Sequence, residues 1–178
     1  MFGLVLGGMS MPKRAASFAQ LSIDLVSRTM DAGARIRAHN ISAGNVLLWT
    51  RPISDCIAEF QRGAEIAIQT GEQHGTLWGL GVQSEQRLFA GYPLLQIAEY
   101  NAEAVQLLHR VYQRTTGLPW TARYFEAAVQ KVITAVAPDL PAVDDLTELI
   151  NNEHVLLQNM RESKDATAMC SWLVTDLQ

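Results

Sequence analysis

Three prolines recur at nearly equal intervals in the first half of the chain. Pro12, Pro52 and Pro93 are separated by 40 and 41 residues, and each opens a run of residues with helical apolar spacing. Proline is favoured in the first turn of a helix because its missing N–H group needs no partner there. A period of this length is that of a helix pair, so the spacing predicts a repeat of helix pairs rather than an isolated site.

The three helices that begin at these prolines share one pattern of faces. Positions 11, 14, 15 and 18 after each proline lie on one helical face and are small or apolar in nearly every case. They are Ile23, Val26, Ser27, Met30, Gly63, Ile66, Ala67, Thr70, Ala104, Leu107, Leu108 and Val111. Positions 10 and 17 lie on the opposite side and are always polar: Ser22, Thr29, Arg62, Gln69, Glu103 and Arg110. A helix pair cannot bury its own apolar face, so it must stack on neighbouring pairs to remove that face from water. The repeated pattern therefore predicts that the helix pairs of this chain stack on one another.

We therefore predict an all-α fold in which antiparallel helix pairs stack as a right-handed solenoid similar to tetratricopeptide repeats. The whole chain, 1–178, is expected to form one helical-repeat domain, with pairs at about 12–50, 52–91 and 93–136 and a weaker helical end at 142–178. The predicted helices are 12–30, 33–49, 53–70, 74–90, 93–115, 119–136, 142–160 and 164–177. Two of them carry clear apolar stripes: Phe18, Leu21, Leu25 and Val26 in the first, and Ile53, Ile57, Phe60, Ala64 and Ala67 in the third.

Composition narrows the class of protein. A chain of 178 residues with 48% hydrophobic residues and a net charge of -4 can bury a core as one soluble domain. It has no basic cluster beyond Lys13-Arg14, so we expect neither nucleic acid nor an anionic membrane as a partner.

Cys56 and Cys170 lie in apolar helical settings, which indicates reduced thiols and favours the cytoplasm. In "MFGLVLGGMSM" the positive charges follow the apolar stretch, which favours a helix end over a signal peptide.

Catalytic and metal-binding signatures are not found in the sequence. No phosphate-binding G-x-x-x-x-G-K-[ST] motif occurs, and the histidines, His39, His74, His109 and His154, lack the i, i+4 spacing of a helical metal site. The adjacent Asp144 and Asp145 come at a predicted helix start, where acids interact favourably with the helix dipole. We therefore predict no catalytic residue, no metal ligand and no cofactor, and hence a chain that is not an enzyme.

A family resemblance rests on three local features of this sequence. They are the tryptophan-x-x-proline of "WTRP", the turn "TGE" and the break "LFAGYPL" before the next helix. Over about residues 12–115, and more loosely from "NNEHVLLQNMRES" onward, the chain resembles the helical, tetratricopeptide-like middle region of large bacterial signalling proteins. Those proteins join a serine/threonine-kinase-like domain, an AAA-type ATPase module, this helical region, and often GAF and histidine-kinase or cyclase domains. The resemblance implies a non-catalytic part of such a protein.

Two classes of function remain open. The first is an interaction, scaffold or signal-transmitting segment, whose polar face meets a protein partner or neighbouring domains of the same polypeptide. The residues expected to make this contact are Arg62, Gln69, Glu103 and Arg110. The alternative for these residues is that they are simply exposed to solvent. The second is a small-molecule effector-binding domain with a pocket between helix pairs, near Trp49, Trp78 and Tyr92. The alternative is that these aromatic residues are packed and leave no pocket. We expect this alternative, with the two tryptophans buried in the core between adjacent helix pairs. An array cut open at an end exposes apolar surface, so the isolated chain is expected to self-associate or to be marginally stable.

Overall fold

The fold is given by a computed structural model of the chain. It describes the following residues: 9–112, 133–140 and 153–162, with the single positions 3, 7, 127, 130 and 131. These residues are mostly helical and contain no β-strand, which confirms the all-α class. The stacking of the pairs as a tetratricopeptide-like solenoid stays a prediction.

The first predicted pair is present as two helices and a short extension. Helix α1 spans Pro12–Val26 and begins with its proline in the first turn, as the sequence predicts. Helix α2 spans Ala32–Asn45, and the carboxylate of Asp31 accepts a hydrogen bond from the amide of Ala34 at 2.9 Å. This cap satisfies one of the amide groups that a helix leaves unpaired at its start. A 3₁₀ turn, Leu47–Trp49, follows α2.

The second pair follows the proline at position 52. Helix α3 spans Ile53–Thr70 and helix α4 spans Gln73–Phe89. Between them Gly71 has φ 70°, a left-handed conformation that ends α3 and that glycine adopts without steric cost. Glu72 then caps α4 by accepting a hydrogen bond from the amide of Gly75. The predicted turn at Thr70-Gly71 is confirmed.

Two further helices lie in the second half of the chain. Helix α5 spans Leu94–Tyr112 and helix α6 spans Glu153–Glu162, and the described positions 127, 130, 131 and 133–136 are also helical. Most of the helix predicted at 119–136 lies outside the described residues. So do the first part of the helix predicted at 142–160, with Asp144 and Asp145, and all of the helix predicted at 164–177, with Cys170.

The chain divides into two compact units, Met1–Ala90 and Gly91–Gln178. The division falls at the break that the sequence predicts between the second and third helix pairs. Gly91 has φ 74° there, so the backbone turns at a position that glycine tolerates. The first unit contains α1 to α4, and the second contains α5 and α6.

Helix α3 is the centre of the first unit, because it packs against both α2 and α4. The contact with α4 is very close: a Cβ atom added to Gly79 would lie 2.7 Å from the Cβ of Ala64. Against α2, the ring of Phe60 lies beside Gly44. The buried residues that join α1, α2 and α3 are Ala15, Ala19, Ile23, Ala43, Val46, Leu47, Cys56 and Phe60. Four members of the predicted α3 stripe, Ile57, Phe60, Ala64 and Ala67, are buried as predicted.

The stripe predicted for α1 is not its buried face. Ala15, Ala19 and Ile23 are buried, whereas Phe18, Leu21 and Leu25 are 42%, 49% and 55% exposed. The physical reason is that the small side chains let α1 lie close to its neighbours, and a face of large side chains would hold the helices further apart. Helix α1 therefore has two apolar faces. The face with the small residues is buried, and the face with Phe18, Leu21 and Leu25 is exposed to solvent.

The repeated pattern of faces holds for most positions. Five residues of the apolar set are buried, Ile23, Gly63, Ala67, Ala104 and Leu108, and four more are half-buried, Val26, Ile66, Leu107 and Val111. Ser27, Met30 and Thr70 are exposed because they lie at or beyond the ends of their helices. All of the polar set are exposed except Ser22, which is half-buried.

The prediction that Trp49 is a core residue is wrong, since its side chain is 74% exposed. Helix α2 ends at Asn45, and the 3₁₀ turn that follows carries Trp49 away from the helical register on which the prediction was based. Trp78 is half-buried in α4 and meets the ring of His74 edge-on, with ring centroids 6.1 Å apart. Neither tryptophan is a fully buried wedge.

Candidate functional site

The four polar residues predicted to meet a partner are all exposed, and they are divided between the two units. Arg62 and Gln69 lie on α3 in the first unit, and Glu103 and Arg110 lie on α5 in the second. Arg110 donates from Nε to the carbonyl of Gln106 at 3.4 Å, a contact within its own helix. Each unit thus contains one pair of these exposed polar residues.

Arg62 belongs to a polar network that sequence reasoning missed. Its guanidinium pairs with Oε1 of Glu59, and Oε2 of Glu59 lies 2.7 Å from Nδ1 of His39 on α2. Glu59 and His39 are both buried, at 7% and 8% exposure. A buried carboxylate needs such partners, because water no longer compensates its charge. The network links α2 to α3, and Arg62 extends from it to the surface.

The neighbouring residue on α2 makes a second polar link. Asn40 donates from Nδ2 to the carbonyl of Gly75 at 3.2 Å and so ties α2 to α4. Its buried Oδ1 faces Gly63 of α3 and has no hydrogen-bond partner among the residues that the structure describes. His39 and Asn40 together hold α2 in register with both α3 and α4. This arrangement is structural: hydrogen bonds of defined geometry select one alignment of the three helices.

An open apolar cavity lies between α1 and α2, on the large-residue face of α1. Its volume is about 490 Å³. The residues that line it are Gly3, Phe18, Ala19, Leu21, Ser22, Leu25, Arg37, Ala38, Ile41, Ser42 and Val46. We call this site the α1/α2 groove. Leu21 and Leu25 come three and seven residues after Phe18, so the three side chains form one stripe along the groove.

Arg37 gives the α1/α2 groove its charge. It is the one residue with a charged side chain among the described residues that line the groove. Arg37 is exposed, and in the described part of the chain its guanidinium makes no hydrogen bond or ion pair. Ser22, at the same site, is occupied within α1, where its hydroxyl donates to the carbonyl of Ala19 at 2.7 Å. The groove therefore offers apolar contact and one positive charge.

The aromatic residues that define the predicted ligand pocket lie elsewhere. Trp49, Trp78 and Tyr92 do not line the α1/α2 groove. Tyr92 belongs to the second unit and is half-buried. The sequence signal that points to the groove is the apolar stripe of α1, whose helical spacing is visible in the sequence.

The remaining candidate groups that the structure describes are a buried thiol and the side chains that could hold a metal ion. Cys56 is a free, buried thiol, and burial, with a smaller contribution from Asp55, raises its pKa to about 11. Such a thiol is a poor nucleophile at neutral pH. Within the ranges that the structure describes, no three His, Cys, Asp or Glu side chains are placed to hold a metal ion.

In those same ranges no helix is long and apolar enough to cross a membrane. Comparisons with known protein families, with curated proteins and with solved structures found no match.

Proposed function

We propose that the chain is a non-catalytic interaction module built of helix pairs, and that its α1/α2 groove receives a protein partner. The observation that carries the proposal is the exposed stripe of Phe18, Leu21 and Leu25 along a concave site. Scattered exposed apolar residues are common on protein surfaces, but a contiguous apolar stripe in a groove is typical of an interaction site. Helix-in-groove recognition uses such a stripe, with anchors at helical spacing.

The polar face adds a second surface to the proposal. Arg62 and Gln69 in the first unit, and Glu103 and Arg110 in the second, would meet neighbouring domains or a protein partner. Their support is exposure together with a recurring position in the helix pairs. Arg62 has in addition a fixed anchor, because Glu59 holds its guanidinium at the surface.

The context that we propose is a multidomain signalling protein in the cytoplasm, with kinase-like and ATPase domains outside this chain. Support comes from the resemblance over residues 12–115. Sequencing the genomic DNA on both sides of the coding region tests this context. We expect in-frame kinase or ATPase motifs upstream, and independent start and stop signals with no such neighbours would contradict it.

The second candidate function is the binding of an apolar small molecule in the same groove. The volume of about 490 Å³ favours it, because pockets for small ligands span about 300–1,000 Å³. This alternative differs from the pocket predicted beside Trp49, Trp78 and Tyr92, since the groove lies within the first helix pair rather than between pairs. Fluorescence titration with an apolar dye separates the two functions: saturable binding of one dye per chain would favour the small molecule.

Sedimentation velocity tests the interaction module directly. Without its partner, the isolated chain should self-associate through the exposed stripe, because association removes apolar surface from water. Leu21→Ser should shift the chain towards monomer. Leu95→Ser is the matched control, because Leu95 is 46% exposed and lies on α5, in the other unit. Equal self-association of the wild type and both variants would refute the proposal.

A further inference from the structure

The segment that contains both helices of the α1/α2 groove is basic, although the chain is acidic as a whole. Residues 1–46 contain five Lys and Arg and two Asp and Glu. The other residues contain nine Lys and Arg and sixteen Asp and Glu. The part of the chain that forms the groove thus has a net charge of +3, against -7 for the rest. Complementary charge steers association and selects partners, so this difference bears on what the groove accepts.

We propose that the occupant of the α1/α2 groove is an amphipathic helix of a partner protein that carries acidic residues beside its apolar stripe. This inference rests on the proposed interaction function and names the class of partner. The apolar stripe of the partner helix would pack on Phe18, Leu21 and Leu25 of α1. A carboxylate beside that stripe would pair with the guanidinium of Arg37 at the edge of the groove.

The shape of the site favours a helix over a lipid surface. Helices that lie on membranes present a convex apolar face with Lys and Arg on both sides. In α1 the residues beside the stripe are Ser17, Ser22 and Asp24, of which none is basic. The basic residues Arg14 and Arg28 lie at the two ends of the stripe rather than along its sides. The stripe also borders a cavity between two helices rather than a ridge. A helix is a rod-shaped partner, and it could lie along the groove and pack against both α1 and α2. Packed helices have axes about 8–10 Å apart, so the side chains of the three helices would then be in contact.

The test uses two synthetic peptides and the full chain. Each fluorescein-labelled peptide has about 18 residues, roughly five helical turns, with leucines at helical spacing on one face. The remaining positions are mainly glutamate in the acidic peptide and lysine in the basic peptide. Fluorescence anisotropy then measures the affinity of each peptide for the wild-type chain, for Leu21→Ser, for Arg37→Ala and for the control Leu95→Ser.

We expect the acidic peptide to bind about tenfold or more tightly than the basic one, with a difference that shrinks as salt is added. Leu21→Ser should weaken binding by about tenfold, as truncation of a central interface residue does. Arg37→Ala should weaken binding of the acidic peptide by about two- to fivefold, as expected for an exposed ion pair. Leu95→Ser should leave the affinity unchanged. By covering the groove, the acidic peptide should also convert self-associated chain to monomer in sedimentation velocity.

Several results would overturn the inference. Equal binding of the two peptides, or tighter binding of the basic one, contradicts the charge argument. Binding to phosphatidylserine vesicles that Leu21→Ser abolishes, with no binding of the acidic peptide, identifies a lipid surface instead. Oligomers that Leu21→Ser disperses but the acidic peptide does not would assign the groove to a second copy of the chain. In that case the interaction module stands and only the partner class fails. Both fail if Leu21→Ser changes neither self-association nor peptide binding.

Discussion

The substitution Gly79→Ala probes a close contact between the helices α3 and α4 of the first unit. In the interior of most helices this exchange stabilises by about 0.5–1 kcal/mol, because glycine loses more conformational entropy on folding. Here the new Cβ atom of α4 would lie 2.7 Å from the Cβ and 3.0 Å from the Cα of Ala64 on α3. Carbon atoms in optimal contact are about 3.5–4.0 Å apart. One of the two atoms belongs to the backbone, so the helices must separate.

The net effect follows from two opposing contributions. Overpacking of a close contact costs about 1–3 kcal/mol, which exceeds the gain in helix propensity. We therefore expect Gly79→Ala to lower the free energy of unfolding by about 0.5–2 kcal/mol. Urea unfolding followed by circular dichroism measures this change, at a concentration where the chain is monomeric.

Gly33→Ala is the matched control for this experiment. Its Cβ atom would meet Nη1 of Arg37 at 3.2 Å, the end of a flexible side chain that can move away. The control should be as stable as the wild type or slightly more stable. If Gly79→Ala is as stable as the wild type, the close approach of α3 and α4 is wrong. Equal destabilisation by both variants would contradict the assignment of the effect to the contact between α3 and α4, because the control has no such contact.

Three further predictions concern buried groups. Glu59→Ala leaves the buried His39 without its hydrogen-bond partner and should destabilise the chain by about 1–3 kcal/mol in urea unfolding; a loss of a few tenths would contradict the network. The Cys56 thiol, whose pKa burial raises to about 11, should react with iodoacetamide at pH 8 only after unfolding, and fast labelling at Cys56 itself, located by peptide mass mapping of the native chain, would be inconsistent with its burial. Burial raises the pKa of Glu85 above its ordinary value, so the native state binds a proton more readily than the unfolded state. Stability should then fall as the pH rises from the ordinary glutamate pKa through the raised one, and Glu85→Gln should remove this dependence in thermal melts recorded across that range; a variant that keeps the wild-type pH profile would refute this assignment.

The candidate site was only half visible in the sequence. The spacing of Phe18, Leu21 and Leu25 predicts an apolar stripe, and such a stripe is usually buried because large apolar side chains avoid water. The network of His39 and Glu59 could not be predicted, because the two residues are 20 positions apart and lie on different helices. Sequence periodicity places residues on a face of one helix, and it contains no information about which partner helix meets that face.

Local signals in the sequence determined the helices themselves. Pro12 in the first turn of α1, Asp31 before α2 and Gly71 after α3 act on backbone groups within a few residues, so their effects do not depend on the rest of the fold. Only the tertiary structure decided which face of α1 is buried. Both of its faces are apolar, and the choice depends on how closely each can approach α2 and α3. Small side chains allow the closer approach, and this leaves the large ones exposed along the α1/α2 groove.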